Sequence, residues 1–109
     1  MRHAVVLTQD VLQDLENILD YIATHDAPGK DDYVQAKMEE VIKSLAEYPE
    51  RGSHPKELLA LGIRDYRQTF FKPYRVVYQV AGRVVTVLLV VDGRRNMQAL
   101  LARRLLASG

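Results

Sequence analysis

Two runs of β-branched residues in the second half of the chain predict a β-hairpin. The first run is Tyr74–Val80, and the second, Val84–Val91, is apolar at odd and even positions alike. Between them lies Gly82, which can adopt the positive φ that a tight turn requires. Because the second run has no polar face, we expect that strand to be buried on both faces in the middle of a sheet.

Two amphipathic helices are predicted ahead of this hairpin. A short apolar run, His3–Leu7, predicts a first strand, and Thr8 or Asp10 is the expected N-cap of the helix that follows. Asp26–Gly29 ends the first helix and starts the second, with Pro28 suited to the first turn, and Pro49 ends the second helix. Apolar residues recur at helical spacing in both: Val11, Leu15, Ile18 and Ile22, with Leu12 and Leu19, then Val34, Met38, Val41 and Leu45, with Ile42. Joined by a short turn, the two form an antiparallel helical hairpin.

The remaining elements complete the order β-α-α-β-β-β-α. One helical turn is predicted over Glu57–Leu61, a strand over Arg64–Phe71, and a last helix from Met97 to about Leu106 with Asn96 as its N-cap. Most neighbouring strands are joined by hairpins, so we expect a mainly antiparallel sheet. The prediction is one α+β domain over residues 1–109, with the helical hairpin and the C-terminal helix packed on one sheet face.

Charge is distributed unevenly along the chain. Residues 1–50 hold 4 Lys/Arg and 11 Asp/Glu, a net charge of −7, whereas residues 51–109 hold 11 Lys/Arg and 3 Asp/Glu, a net charge of +8. One interpretation is two solvated surfaces of opposite sign. The other is a basic sheet face that meets an acidic partner, either a nucleic acid or an acidic protein segment.

Several kinds of site are not supported by the sequence. There is no cysteine, and His3, His25 and His54 are far apart with no metal-binding spacing, so we expect neither a metal nor another cofactor. No serine stands in a nucleophile motif. The apolar run Ala4–Leu7 is too short for a secretion signal, and the longest apolar run is far below the ~20 residues of a membrane span. We therefore expect a cytoplasmic protein without direct membrane contact.

Four motifs, in order and over nearly the whole chain, resemble the RelE/ParE superfamily of bacterial toxins. They are Tyr74–Val80, the Asp-Gly-Arg-Arg sequence at Asp92–Arg95, the helical segment Asp14–Ile22, and Tyr48–Gly52 after the second helix. The last two resemble the ParE branch in particular. The resemblance implies a RelE/ParE-like fold and the toxin of a type II toxin–antitoxin system.

The residues that the RelE branch uses for chemistry are incomplete in this chain. RelE proteins are ribosome-dependent mRNA endonucleases, and that reaction needs phosphate binding and proton transfer. Arg75 and Arg95 match RelE arginines and are suited to phosphate binding. The RelE tyrosine position falls at Leu101, and the strand lysines correspond to Tyr66–Gln68, which contains none. Arginine is a poor general base because it keeps its proton. We therefore predict no catalytic residues and a ParE-like protein.

The ParE resemblance implies a bacterial toxin of the plasmid-stabilisation type that inhibits DNA gyrase. It also implies a ParD-like antitoxin that neutralises the toxin in a hetero-oligomer, with DNA contacted only through gyrase or the antitoxin. The candidates for target contact are Arg67, Arg75, Arg94 and Arg95. The candidates for antitoxin contact are the apolar residues Leu15, Leu19, Ile22, Val34, Met38 and Val41.

Other functions and roles stay open at this point. One is a RelE-like mRNA endonuclease with a degenerate site, and another is a decayed toxin that acts only as a binding module. Arg75 has a possible structural partner in Asp65 on the neighbouring strand. Arg94 and Arg95 could simply solubilise the end of the sheet, or Arg95 could support the last helix.

Overall fold

The computed structural model describes residues 2–106, which form eight elements: the seven of the predicted order and the predicted short helical turn. The elements are β1 (Ala4–Leu7), α1 (Gln9–His25), α2 (Lys30–Ser44), α3 (Lys56–Leu59), β2 (Tyr66–Phe71), β3 (Tyr74–Ala81), β4 (Val84–Asp92) and α4 (Met97–Leu106). Each strand and each long helix lies where the hydrophobic pattern predicted it, within about two residues at the ends, with one exception. The second helix was expected to continue up to Pro49, but α2 ends at Ser44 and residues 45–47 form a turn.

The four strands form one sheet in the order β1-β4-β3-β2. β2 pairs with β3 and β3 with β4 in antiparallel fashion, whereas β1 pairs with β4 in parallel, from Ala4 opposite Val84 to Leu7 opposite Val87. The register between β3 and β4 shifts by one residue next to Val77 and Tyr78, so that Leu88 is an extra residue in β4. The predictions of a mainly antiparallel sheet and of an interior β4 are confirmed.

Helices cover both faces of the sheet, and the prediction that they lie on one face is wrong. The α1–α2 hairpin packs on the face that carries Val76, Tyr78 and Val90, while α3 and α4 pack on the opposite face against Val77 and Leu89. The reason lies in β4, whose residues Leu89–Val91 are buried at odd and even positions alike. A strand with two apolar faces needs cover on both sides.

The helix ends are fixed by local hydrogen bonds. Thr8 caps α1, and its hydroxyl oxygen accepts a hydrogen bond from the Val11 amide at 3.2 Å. Asn96 caps α4 as predicted, accepting a hydrogen bond from the Ala99 amide at 3.1 Å. α2 begins at Lys30, because Gly29 has a φ of +86° and takes the cap position ahead of it.

Candidate functional site

The loop motif and the strand motif of the sequence meet at the hydroxyl group of Tyr78. This hydroxyl donates a hydrogen bond to the carbonyl of Pro49 at 2.7 Å and accepts one from the amide of Gly52 at 3.2 Å. Tyr78 is fully buried, and burial raises its pKa. A Cβ atom at position 52 would lie 2.5 Å from the carbonyl oxygen of Gln68, so only glycine fits there. The loop after α2 is therefore held on the sheet by buried polar contacts.

Arg67, one of the candidates for target contact, fixes the same loop. Its guanidinium donates hydrogen bonds to the carbonyl oxygens of Glu50 at 3.2 Å and Gly52 at 2.8 Å. The residue is half-buried. These two bonds give Arg67 a structural role beside any contact that it makes with a target.

Arg75, the arginine of the strand motif, lies in a buried polar network. Its guanidinium forms a bidentate ion pair with Glu57 of α3 at 2.9 and 3.0 Å, and it also bonds the side-chain oxygen of Gln68. Only 9% of the Arg75 side chain is exposed. The prediction that Asp65 would be its partner is wrong, because α3 brings Glu57 over the sheet face on which Arg75 lies.

Two consequences follow from this network. The hydrogen bond from Arg75 holds the pKa of Glu57 below its usual value. The guanidinium of Arg75 is already neutralised, so binding a phosphate there would require breaking a bidentate pair and leaving Glu57 without its partner. Gly93 belongs to the same arrangement, because a Cβ atom at that position would lie 2.7 Å from the Arg75 side chain.

Basic side chains that the sequence reasoning missed lie next to Arg75. A pocket of about 360 Å³ is lined by His54, Lys56 and Lys72 together with Arg75. One ring nitrogen of His54 is held by the carbonyl oxygen of Tyr66 at 3.0 Å. These side chains come from separate loops and from α3, so no spacing in the sequence relates them. Leu101, at the RelE tyrosine position, is 1% exposed and packs in the core beneath α4.

Arg94 and Arg95 are the exposed candidates for target contact. The side chain of Arg94 is 78% exposed and forms an ion pair with Asp92, a contact that lowers the pKa of Asp92. Arg95 is exposed, and its side chain makes no hydrogen bond or ion pair within residues 2–106. Its backbone amide is fixed by the carbonyl of Asp92 at 3.2 Å. The short segment between β4 and the Asn96 cap thus presents two cations from an ordered backbone.

These arginines stand at one end of a large cleft. The cleft has a volume of about 800 Å³ and lies between α1, the start of α2, the β2–β3 turn and the end of β4. Four of its lining residues are aromatic: Tyr21, Tyr33, Phe71 and Tyr74. Tyr21 and Tyr33 are more than half exposed. We call this space the aromatic cleft.

A second, apolar depression separates α1 from α2. This hairpin groove has a volume of about 290 Å³ and is lined by four of the six residues predicted for antitoxin contact: Leu15, Leu19, Val34 and Met38. The other two lie elsewhere, since Ile22 lines the aromatic cleft and Val41 packs against the core. Val34 lines both spaces, so the groove and the cleft adjoin at this residue.

The part of the chain that the structure describes contains neither a cluster of metal ligands nor a helix that could span a membrane. Within residues 2–106, no group of three or more His, Asp or Glu side chains is placed to hold a metal ion. No helix in that part of the chain is long and apolar enough to cross a membrane.

Comparison with known proteins identifies the family. The family model for the ParE toxin of type II toxin–antitoxin systems (parDE) matches residues 5–97. Toxin ParE3 of Caulobacter vibrioides is 26% identical over 100 residues, which are 92% of this chain and 96% of that protein.

Two solved structures share the fold. A chain in the structure of the chromosomal ParDE system from P. aeruginosa superposes with a TM-score of 0.69 at 17% identity, over 84% of this chain and 96% of its own length. A mutant of E. coli toxin RelE in the free state has a TM-score of 0.55 at 18% identity, over 92% of this chain and 93% of its own. Because the family model spans most of the sequence, this chain belongs to the ParE toxins of type II toxin–antitoxin systems.

Proposed function

We propose that this toxin inhibits DNA gyrase and that Arg94 and Arg95 contact the target. The observation that carries the proposal is the state of the arginines in this family member. Arg75 is buried and paired with Glu57, whereas Arg94 and Arg95 are exposed on an ordered segment that lines a large cleft, Arg94 in an ion pair with Asp92 at the surface. Exposed side chains on a rigid scaffold suit a functional contact.

A ParD-like antitoxin is the proposed neutralising partner. The hairpin groove supports this, because an amphipathic helix binds by laying its apolar side chains into such a groove. Its walls carry aliphatic residues of both helices, with Glu39 and Lys43 at the rim. An antitoxin that folds as it binds would form a hetero-oligomer with this chain. We place this pair in the bacterial cytoplasm, where gyrase acts, with DNA contacted through gyrase or through the antitoxin.

A second candidate is an mRNA endonuclease like RelE. The observation that favours it is the basic pocket around Arg75, where His54 offers an imidazole as a group that could transfer a proton. Two observations count against it. Arg75 is held by Glu57 and is not free to bind a phosphate. Position 101 holds a buried leucine in place of the tyrosine that the RelE site would need. A third candidate is a binding module without toxicity.

One pair of assays separates these candidates. The purified protein is added to gyrase with relaxed plasmid, and supercoiling and cleaved DNA are measured; in parallel it is added to translating ribosomes, and mRNA cuts are mapped. We expect inhibited supercoiling and intact mRNA. Codon-specific cuts that disappear in His54→Ala, with gyrase unaffected, would establish the endonuclease instead. If the protein has no effect in either assay, the result would support the third candidate, a binding module without toxicity.

A further inference from the structure

On one side of β4, the neighbouring strand β1 ends about halfway along. β1 ends at Leu7, opposite Val87, and the chain then turns into α1. Within residues 2–106, the second half of β4, up to Asp92, therefore has no strand on that side, although β3 still pairs with it on the other side. Backbone groups on an unpaired strand edge need partners or remain available to a second chain.

An ion pair takes the place of the missing strand over the first part of this edge. The Asp14 carboxylate accepts a hydrogen bond from the Val90 amide at 3.0 Å, and Arg104 of α4 donates one to the Leu88 carbonyl at 2.9 Å. Asp14 and Arg104 also bond each other at 2.8 and 2.9 Å. One acceptor and one donor thus stand where the peptide groups of a longer β1 would have been.

Two backbone groups of the edge remain without a partner within residues 2–106. Val91 pairs with Arg75 of β3, so the groups of Val90 and Asp92 point to the opposite side, as the Val90–Asp14 bond shows. The Val90 amide is occupied, and the Asp92 carbonyl accepts a hydrogen bond from the amide of Arg95. The Val90 carbonyl and the Asp92 amide are therefore the free acceptor and the free donor, and both residues line the aromatic cleft.

This combination of free groups selects one direction of strand addition. An antiparallel partner residue bonds the amide and the carbonyl of the same residue, and at Val90 and at Asp92 one of the two is taken. A parallel partner residue bonds the carbonyl of one residue and the amide two positions later. Only the parallel arrangement satisfies the amide and the carbonyl of one and the same partner residue with these two groups, and that residue lies opposite Val91.

The charges of the cleft indicate the chemistry of the occupant. Lys30, Lys72 and Arg95 line it without an ion pair within residues 2–106, against one such carboxylate, Asp26. A segment parallel to β4 runs toward Arg95, so its residues after the paired one approach a cationic end. That end is suited to an Asp or Glu side chain.

We propose that an extended acidic segment of the antitoxin adds to β4 in the aromatic cleft, parallel to the strand and in line with β1. This rests on the proposed antitoxin binding in the hairpin groove, which adjoins the cleft at Val34. One residue of the segment donates its amide to the Val90 carbonyl and accepts from the Asp92 amide. An acidic side chain after it lies beside Arg95 and covers the surface proposed for target contact.

Amide hydrogen exchange in the toxin, free and bound to its cognate full-length antitoxin, tests the proposal. The Asp92 amide should exchange without protection in the free protein and at least about tenfold more slowly in the complex. The Gly93 amide, which is bonded to the Pro73 carbonyl at 2.8 Å, is the internal control and should be protected in both. Arg95→Glu should weaken antitoxin binding by about tenfold, whereas Arg83→Glu, exposed at the other end of β4, should not.

The methyl resonances of Leu19 and Met38 distinguish this inference from the proposed function. If they shift on antitoxin binding while the Asp92 amide stays unprotected, the groove is occupied and the strand addition is overturned. If neither responds, both proposals fall. Protection of Asp92 that appears only when gyrase is added would assign the edge to the target and overturn the antitoxin as occupant.

Discussion

At the scale of single residues, Tyr78 explains why two distant sequence motifs occur together. Its buried hydroxyl joins the carbonyl of Pro49 to the amide of Gly52. Removing it in Tyr78→Phe leaves two buried backbone groups without a partner. We expect a loss of about 1–3 kcal/mol in the free energy of unfolding, measured by urea denaturation.

Tyr48→Phe is the matched control for this substitution. Tyr48 is half exposed, and its ring faces the Arg51 guanidinium, a contact that phenylalanine retains. The free energy of unfolding of Tyr48→Phe should remain within about 0.5 kcal/mol of that of the wild type. Equal losses in the two variants would show that the hydroxyl bridge of Tyr78 contributes nothing of its own.

The ion pair of Glu57 with Arg75 makes stability depend on pH. Because the pKa of Glu57 is lowered in the folded protein, the pair contributes stability above the usual pKa of a glutamate. That contribution is lost as the pH falls through the lowered pKa. Glu57→Gln should therefore be less stable than the wild type at neutral pH, with a difference that narrows as the solution is acidified.

Urea denaturation of both proteins at several pH values between ~7 and ~3 checks this expectation. Glu16→Gln, an exposed position on α1 without an ion pair within residues 2–106, is the control and should follow the wild type at every pH. A gap between Glu57→Gln and the wild type that widens toward acid would contradict the assigned role of the pair.

At the scale of elements, Arg104 ties α4 to α1 and to the edge of β4. The hydrogen bond that Arg104 donates to Asp14 raises the pKa of Arg104, in keeping with a guanidinium that is held by a carboxylate. Arg104→Ala removes the donor to the Leu88 carbonyl and leaves the half-buried Asp14 without its partner. We expect a loss of about 1–3 kcal/mol and faster exchange of the Val90 amide.

Arg103 provides the comparison, because it is the preceding residue on α4, exposed and without an ion pair within residues 2–106. Arg103→Ala should leave both the unfolding midpoint in urea and the exchange of Val90 unchanged. If the two alanine variants behave alike, the ion pair does not substitute for a strand.

The helices and strands were largely predictable from the sequence, but the contacts that they make with one another were not. The runs at Tyr74–Val80 and Val84–Val91 and the two helical stripes are local patterns, and each became the element expected from it. The place where β1 stops along β4 depends on how the chain folds in three dimensions. The same holds for α3, whose Glu57 displaced Asp65 as the partner of Arg75.

At the scale of the whole molecule, the site was predictable only in part. Four of six predicted groove residues line one groove because helical spacing decides which side chains share a face. The sequence motifs placed the four arginines in one group of candidates. In the structure Arg75 and Arg67 form hydrogen bonds that stabilise the fold. Arg94 and Arg95 are exposed. The basic pocket with His54 gave no sequence signal, since its residues come from separate segments.

The uneven charge along the chain can now be compared with the positions of the groove and the cleft. Acidic residues are concentrated in the α1–α2 half, yet the walls of the hairpin groove are apolar, so salt should weaken antitoxin binding there only moderately. The cations gather where β4 ends. In the account proposed here, the antitoxin binds mainly in the hairpin groove and the target contacts Arg94 and Arg95, and the groove adjoins the cleft at Val34.

The central claim is that Arg94 and Arg95 carry the inhibition of gyrase, and one supercoiling assay tests it most directly. Wild type, Arg94→Ala/Arg95→Ala and the control Arg83→Ala are titrated against gyrase, with folding verified by circular dichroism. Since both side chains are exposed, each substitution should cost within about 0.5 kcal/mol of stability. We predict that wild type and Arg83→Ala inhibit supercoiling and that the folded double variant does not. A folded double variant that inhibits as well as wild type, or a wild type without effect on gyrase, would contradict the account.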